Sequence, residues 1–255
     1  MEQQELKRLY KQEKTRLRQN FKQEKQALKQ NFLEKLALCQ TEYPEKNNPP
    51  KRSVLEEIGN AVSHGLGSIF SIIAYVLMLG KAQTKTEIFA ATVYFIGLFL
   101  MFTMSCLYHS FRHGSTVKRV FRRFDYSSIY LLIGATFAPI LLCFVGGWFG
   151  KGFALFQWLI IATGITFIGV FGPHRLKGLH MTLYIVLGWS GLLFLPQMLT
   201  QNLALFWLIL GGGIVYSLGI IPFVMNKKAA HFIWHFFVLG GAITQWLGIY
   251  LYLYA

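Results

Sequence analysis

Two histidines four residues apart, His231 and His235, open the last long apolar run of the chain, in the stretch His-Phe-Ile-Trp-His-Phe-Phe. On a helix they project from one face, about 6 Å apart along the axis, which is a spacing that suits two ligands of one metal ion. In so apolar a run an imidazole needs a partner, because an ionisable group inside a bilayer is costly and marks a site by default. The alternative for the pair alone is hydrogen bonding to neighbouring helices. Further candidates stand at the ends of other apolar runs: Ser105 and His109 in Ser-Cys-Leu-Tyr-His, Asp125 in Asp-Tyr-Ser-Ser-Ile-Tyr, and Glu57, Asn60 and His64 in Glu-Ile-Gly-Asn-Ala-Val-Ser-His. Three histidines and a carboxylate are what a zinc ion uses when it activates a water: three protein ligands, an open position, and a base beside it. Imidazole ligands and the lack of redox chemistry favour zinc over other metals.

Such a set does chemistry only if the elements bring it to one level. Of the 255 residues 54% are apolar, and charge is concentrated at the start: residues 1–52 hold 13 of 25 Lys and Arg and 7 of 11 Asp and Glu. The remaining chain keeps four acids, Glu56, Glu57, Glu87 and Asp125, too few for a water-soluble domain of that size. The composition therefore predicts an all-α polytopic membrane protein. Apolar runs long enough to cross a hydrocarbon layer of about 30 Å fall near 58–79, 88–111, 126–146, 153–171, 179–198, 203–224 and 230–254. About fifty polar residues precede the first run in place of a short basic leader, so the first span is expected to be retained. The connections alternate in basic content: 112–123, 173–178 and 226–228 carry nine Lys or Arg, and the opposite set three, Lys81, Lys85 and Lys151. The positive-inside rule then puts the amino terminus in the cytoplasm and the carboxyl terminus outside. With that topology His109, Asp125, His231 and His235 all start or end their spans at the cytoplasmic side.

Glu57, Asn60 and His64, at i, i+3 and i+7, share one helix face at the same side. They are expected either to stand behind the site and orient Asp125 or a ligand, or to close helix contacts as a polar cluster. Ser63, Gly67 and Ser71 form a small-residue stripe suited to close packing. His113, His174 and His180 lie in or beside loops and read as interfacial residues. Cys39, Cys106 and Cys143 are too widely spaced for a disulfide framework and are expected to remain thiols.

The first 45 residues repeat with a period of eleven, Lys11-Gln-Glu-Lys to Phe21 and again Lys22-Gln-Glu-Lys to Phe32. Leu6, Tyr10, Leu17, Phe21, Leu28 and Phe32 form one stripe on a nearly straight helix whose other faces are Lys, Arg, Gln and Glu. Such a basic amphipathic arm suits an anionic lipid surface or a partner helix, or it is a solvated helix without a partner. No pattern of basic and aromatic residues points to nucleic acid. A Pro- and Asn-rich linker at 46–52 separates the arm from a membrane domain at 53–255.

The set Glu57-x-x-Asn60-x-x-x-His64, Ser105-x-x-x-His109, Asp125-Tyr-x-x-Ile129 and His231-x-x-x-His235, in that order over seven spans, resembles the bacterial hemolysin III family. That family is similar to the adiponectin and progestin receptor-like proteins and, more remotely, to alkaline ceramidases. The resemblance covers residues 53–255 and leaves the arm outside. It implies a seven-transmembrane helix bundle with zinc on His109, His231 and His235, and with Ser105 and Asp125 near its water. It also implies amide hydrolysis of a ceramide-like lipid, and the leading expectation is a protein of the plasma (inner) membrane whose zinc site hydrolyses an amide or ester of a membrane lipid. The family name carries a different expectation, a pore-forming cytolysin with a structural zinc, although the spans show no continuous polar face to line a channel. A membrane sensor without turnover is the third.

Overall fold

A computed structural model describes residues 2–42, 49–225 and 227–254. The described residues are almost all helical and form two compact units, 1–48 and 49–255, each taken by itself below. The first contains one helix, α1 (Glu2–Glu42), on which Leu6, Tyr10, Leu17, Phe21, Leu28 and Phe32 are each at least 60% exposed, so the apolar stripe packs on nothing within its own unit. Residues 46–48 of the expected linker lie outside the described residues, as does the end of the arm at 43–45; residues 49–53 open the second unit without regular structure.

Among its described residues that unit has seven helical spans long and apolar enough to cross a membrane. They are α2 (Val54–Lys81), α3 (Lys85–Ser110), α4 (Thr116–Pro139), α5 (Gly147–Phe171), the pair α6 (Lys177–Trp189) and α7 (Leu195–Gln201), α8 (Leu203–Val224) and α9 (Ala230–Leu253). Several starts are written in the sequence as caps. Ser53 with Glu56, and Thr84 with Glu87, form capping boxes that satisfy the first free amides of α2 and α3. The Ser115 hydroxyl accepts from the Lys118 amide and the Asn202 amide oxygen from the Leu205 amide.

Two spans are not single α-helices. After Pro139, whose ring cannot fit an unbroken α-helix, α4 loosens into π-helical turns over Ile140–Val145 and ends at Gly146 and Gly147, both at positive φ. Between α6 and α7 a tighter 3-10 segment, Ser190–Phe194, precedes Pro196. The sequence places the third span near 126; the helix starts at Thr116, so Lys118 and Arg122 belong to it rather than to a basic loop, and both are buried.

α3 packs most extensively on α4 and α2, α8 packs on α9, and α2 also meets α9. Small residues make the close approaches possible. Ser63, Gly67 and Ser71 are all buried on α2, and a Cβ on Gly67 would stand 2.5 Å from the Phe102 ring. On α3 a Cβ at Gly97 would lie 2.2 Å from Ala135 Cβ and 2.8 Å from the Leu131 carbonyl oxygen, a collision with backbone that no rotamer change relieves. Away from the helix contacts the bundle shows exposed Ile69, Ile73, Val76, Leu155, Leu159 and Ile221, the outer face expected of a protein solvated by lipid. Gly97→Val is expected to separate α3 from α4 and cost about 1–3 kcal/mol, read as a lowered unfolding midpoint of detergent-purified protein, whereas Gly80→Ala, where an added Cβ meets nothing, leaves it unchanged.

Candidate metal centre

Four helix ends meet at the end of the bundle where α2, α4 and α9 begin and α3 finishes. His109 lies in the last turn of α3, His231 and His235 in the first turns of α9, and their ring nitrogens lie within 4.8 Å of one another. His109 and His231 face each other through their Nε2 atoms at 3.3 Å. Two ligands at about 2.0–2.1 Å from a tetrahedral zinc are separated by about that distance. His109 and His235 are almost wholly buried, and His231 partly so.

The far side of each of two rings is fixed by α2. The Nδ1–H of His109 donates to Glu57 Oε2 at 2.6 Å, which leaves Nε2 with its lone pair turned to the cluster. The Nδ1–H of His235 donates to the Asn60 carbonyl oxygen at 3.1 Å, with the Ser63 hydroxyl at the same distance, again freeing Nε2. A nitrogen in this state can donate its lone pair to a metal ion, so the donor set fits a metal on chemistry as well as on spacing. His64 contributes otherwise: its ring stacks on His235 with centroids 3.7 Å apart and meets Phe102 edge-on, holding the imidazole plane from behind.

Glu57 has a second duty. Its Oε1 accepts from Lys118 Nζ at 2.9 Å, and the same ammonium donates to the Phe111 carbonyl oxygen and lies over the Tyr108 ring. The partners of Glu57 are thus His109 and Lys118. Glu56, one residue earlier, accepts from the Ala229 amide at the left-handed residue that starts α9.

Asp125 and Ser105 face a cavity that His64, His231 and His235 also line, and the Ser105 hydroxyl is placed to donate to the Asp125 carboxylate. All the residues singled out in the sequence therefore sit at one place, Glu57, Asn60 and His64 on α2, Ser105 and His109 on α3, Asp125 on α4, and His231 and His235 on α9. His113 and His174 are exposed, but His180 is buried, its Nδ1 hydrogen-bonded to the Tyr130 hydroxyl at 2.9 Å, and so is not the interfacial residue expected. Lys118 was not foreseen in the site. A signal existed: Ser115 as a cap, followed by Lys118, Arg122 and Asp125 at i, i+4 and i+7 on one face.

A bundle of seven apolar helices with a histidine cluster buried at one end defines a multi-pass membrane protein whose polar groups converge on a potential metal centre. The sequence model of the family described as Haemolysin-III related matches residues 52–246, and the chain belongs to that family. It is 36% identical over 214 residues to Hemolysin-3 of Bacillus cereus, covering 82% of this chain and 96% of that protein. It is 33% identical over 205 residues to the Hemolysin-3 homolog of Bacillus subtilis (strain 168), covering 78% and 95%. Its similarity reaches the human monocyte to macrophage differentiation factor, at 30% over 218 residues with 82% and 89% covered.

The geometry makes Glu57 a support of His109 rather than a ligand. Glu57→Gln is expected to fold and to bind metal about 10–100-fold more weakly, measured by competition with a chelator. His235→Ala is expected to lose most of its bound metal.

Proposed function

We propose that the protein is a zinc-dependent hydrolase of a lipid amide or ester in the plasma membrane. Convergence of His231, His235 and Asp125 on one cavity, with the ring nitrogens of His109 within reach of both histidines, carries this reading. A second observation supports a lipid as substrate. A second, mostly apolar cavity bounded by α4, α6, α8 and α9 adjoins the site cavity, and Met101, Ile129, Phe223 and Trp234 are walls of both. Along α9 its lining runs from Trp234 to Gln245, about 16 Å at the helical rise, close to the depth of one leaflet's hydrocarbon.

His109, His231 and His235 would hold the zinc, which when bound supplies Lewis-acid polarisation of a carbonyl and acidifies a neighbouring water. Asp125 takes the proton of the attacking water, with Ser105 orienting its carboxylate, as the oxygen adds to the acyl carbon. The same carboxyl returns that proton to the leaving nitrogen or oxygen, the bond to it breaks, and a fatty acid and an amine or alcohol depart. The apolar cavity holds the acyl chain, and the surrounding helices limit access of bulk water.

The excess of basic residues at the end that carries the site supports an orientation with that end, and the amino terminus, in the cytoplasm and the carboxyl terminus outside. The exposed stripe of α1, flanked by Lys and Arg, suits an anionic lipid surface, and nothing in the sequence recommends a nucleic-acid partner. The name of the Bacillus cereus relative favours a second reading, a pore-forming cytolysin in which the metal only braces the helices.

Asp125→Asn separates these readings. Hydrolysis of lipid amides and esters by the purified protein is expected to fall by about 10²-fold or more with metal content retained, the usual scale for loss of a general base. A pore with a bracing metal predicts no hydrolysis by the wild type and unchanged leakage from liposomes bearing the variant.

A further inference from the structure

The wall of the site cavity becomes cationic away from the histidines. Arg52 from the segment before α2, Arg122 of α4, and Lys177 at the start of α6 all line it. Among the lining residues only Asp125 opposes these three cations, because Glu57 is engaged by Lys118 and His109 and does not line the cavity. Basic residues at the ends of membrane helices ordinarily extend to water. Arg122 does not, and neither does one nitrogen of the half-buried Arg52. Arg122 is 6% exposed, and the Nη1 of Arg52 is buried with no hydrogen-bond partner among the described residues. A buried guanidinium nitrogen without an acceptor is costly, and buried polar groups are otherwise nearly always bonded, so the cavity is built for an acceptor that enters from outside. Lys177 stands exposed at the rim with Nζ 5.8 Å from the Phe223 ring, a side chain that is also a wall of the apolar cavity. A ligand reaching Lys177 is therefore next to the entrance for an acyl chain.

We propose that Arg52, Arg122 and Lys177 bind the negatively charged phosphate head group of a membrane lipid whose acyl chain occupies the adjoining apolar cavity. Guanidinium groups and an ammonium recognise phosphate oxygens through charge-assisted hydrogen bonds, and the arrangement selects net negative charge over a zwitterion that carries its own cation. Resting on the hydrolase reading, this makes the substrate an anionic phospholipid rather than a neutral lipid. Head-group binding itself needs no turnover.

The test uses the purified full chain in a neutral detergent, titrated with dioctanoyl phosphatidic acid, dioctanoyl phosphatidylcholine and inorganic phosphate, with affinity read from the rise in unfolding midpoint. Phosphatidic acid is expected to bind about 10-fold more tightly than phosphatidylcholine, and Arg52→Gln and Lys177→Gln each to remove about that factor, the equivalent of one charge-assisted hydrogen bond. Inorganic phosphate at the same concentration is expected to give no shift. Lys177 is exposed, so its substitution tests the rim without disturbing the fold. Equal affinity for the two lipids, or undiminished phosphatidic acid binding in both variants, overturns the proposal, as does a phosphate shift equal to that of phosphatidic acid, which would indicate a small-anion site. Selective binding of phosphatidic acid by a protein that hydrolyses no lipid upholds the head-group site and counts against the hydrolase reading instead.

Discussion

The site depends on one carboxylate. Glu57 of α2 is held between the imidazole of His109 on α3 and the ammonium of Lys118 on α4, at 2.6 and 2.9 Å. In an apolar bundle each of these groups alone would be costly, and removing one member of a buried ion pair typically costs about 3–5 kcal/mol because a charged partner stays buried and uncompensated. Kept together, they fix the rotation of three helices about their axes. The Asn60 carbonyl and Ser63 hydroxyl extend the same constraint to α9 through His235. The three imidazoles consequently face inward as a property of the helix packing, and a metal ion would meet a site already formed.

The rest of the bundle divides the work unevenly. α2, α3, α4 and α9 approach closely over Gly59, Gly67, Gly97 and Ala135, and this side carries the histidines. α6 touches α8 at few points, and the apolar cavity lies between them. A rigid half that positions the polar groups and a looser half that leaves room for a hydrophobic chain are what a lipid-processing site needs, since precision is required at the carbonyl and tolerance along the chain.

Much of this was legible in the sequence because the bilayer leaves few options for a polar residue. An Asp, a His or a Glu inside an apolar run stands out, and alternation of loop charge orders the helix ends, so Glu57, His109, Asp125, His231 and His235 could be grouped without coordinates. The resemblance of their spacing to hemolysin III proteins agrees with the family the chain belongs to. Other features were hidden for physical reasons. Lys118 and Arg122 looked like loop charges because hydropathy counts charge and not the partner that neutralises it, so α4 was placed ten residues too late. His180 sits beside a loop in sequence, and only folding brings the Tyr130 hydroxyl to it. The departures from α-helix after Pro139 and at Ser190–Phe194 depend on packing that one-dimensional apolar patterns do not record.

The central claim is that three imidazoles from α3 and α9 bind one metal ion. X-ray absorption at the zinc edge of the purified full-length protein reads the donor set directly. The account predicts one zinc per chain in a shell of three imidazole nitrogens and one oxygen at about 2.0–2.1 Å, with one imidazole lost in His231→Ala. A protein purified without stoichiometric metal after growth in zinc, or a shell containing cysteine sulfur at about 2.3 Å, would contradict it.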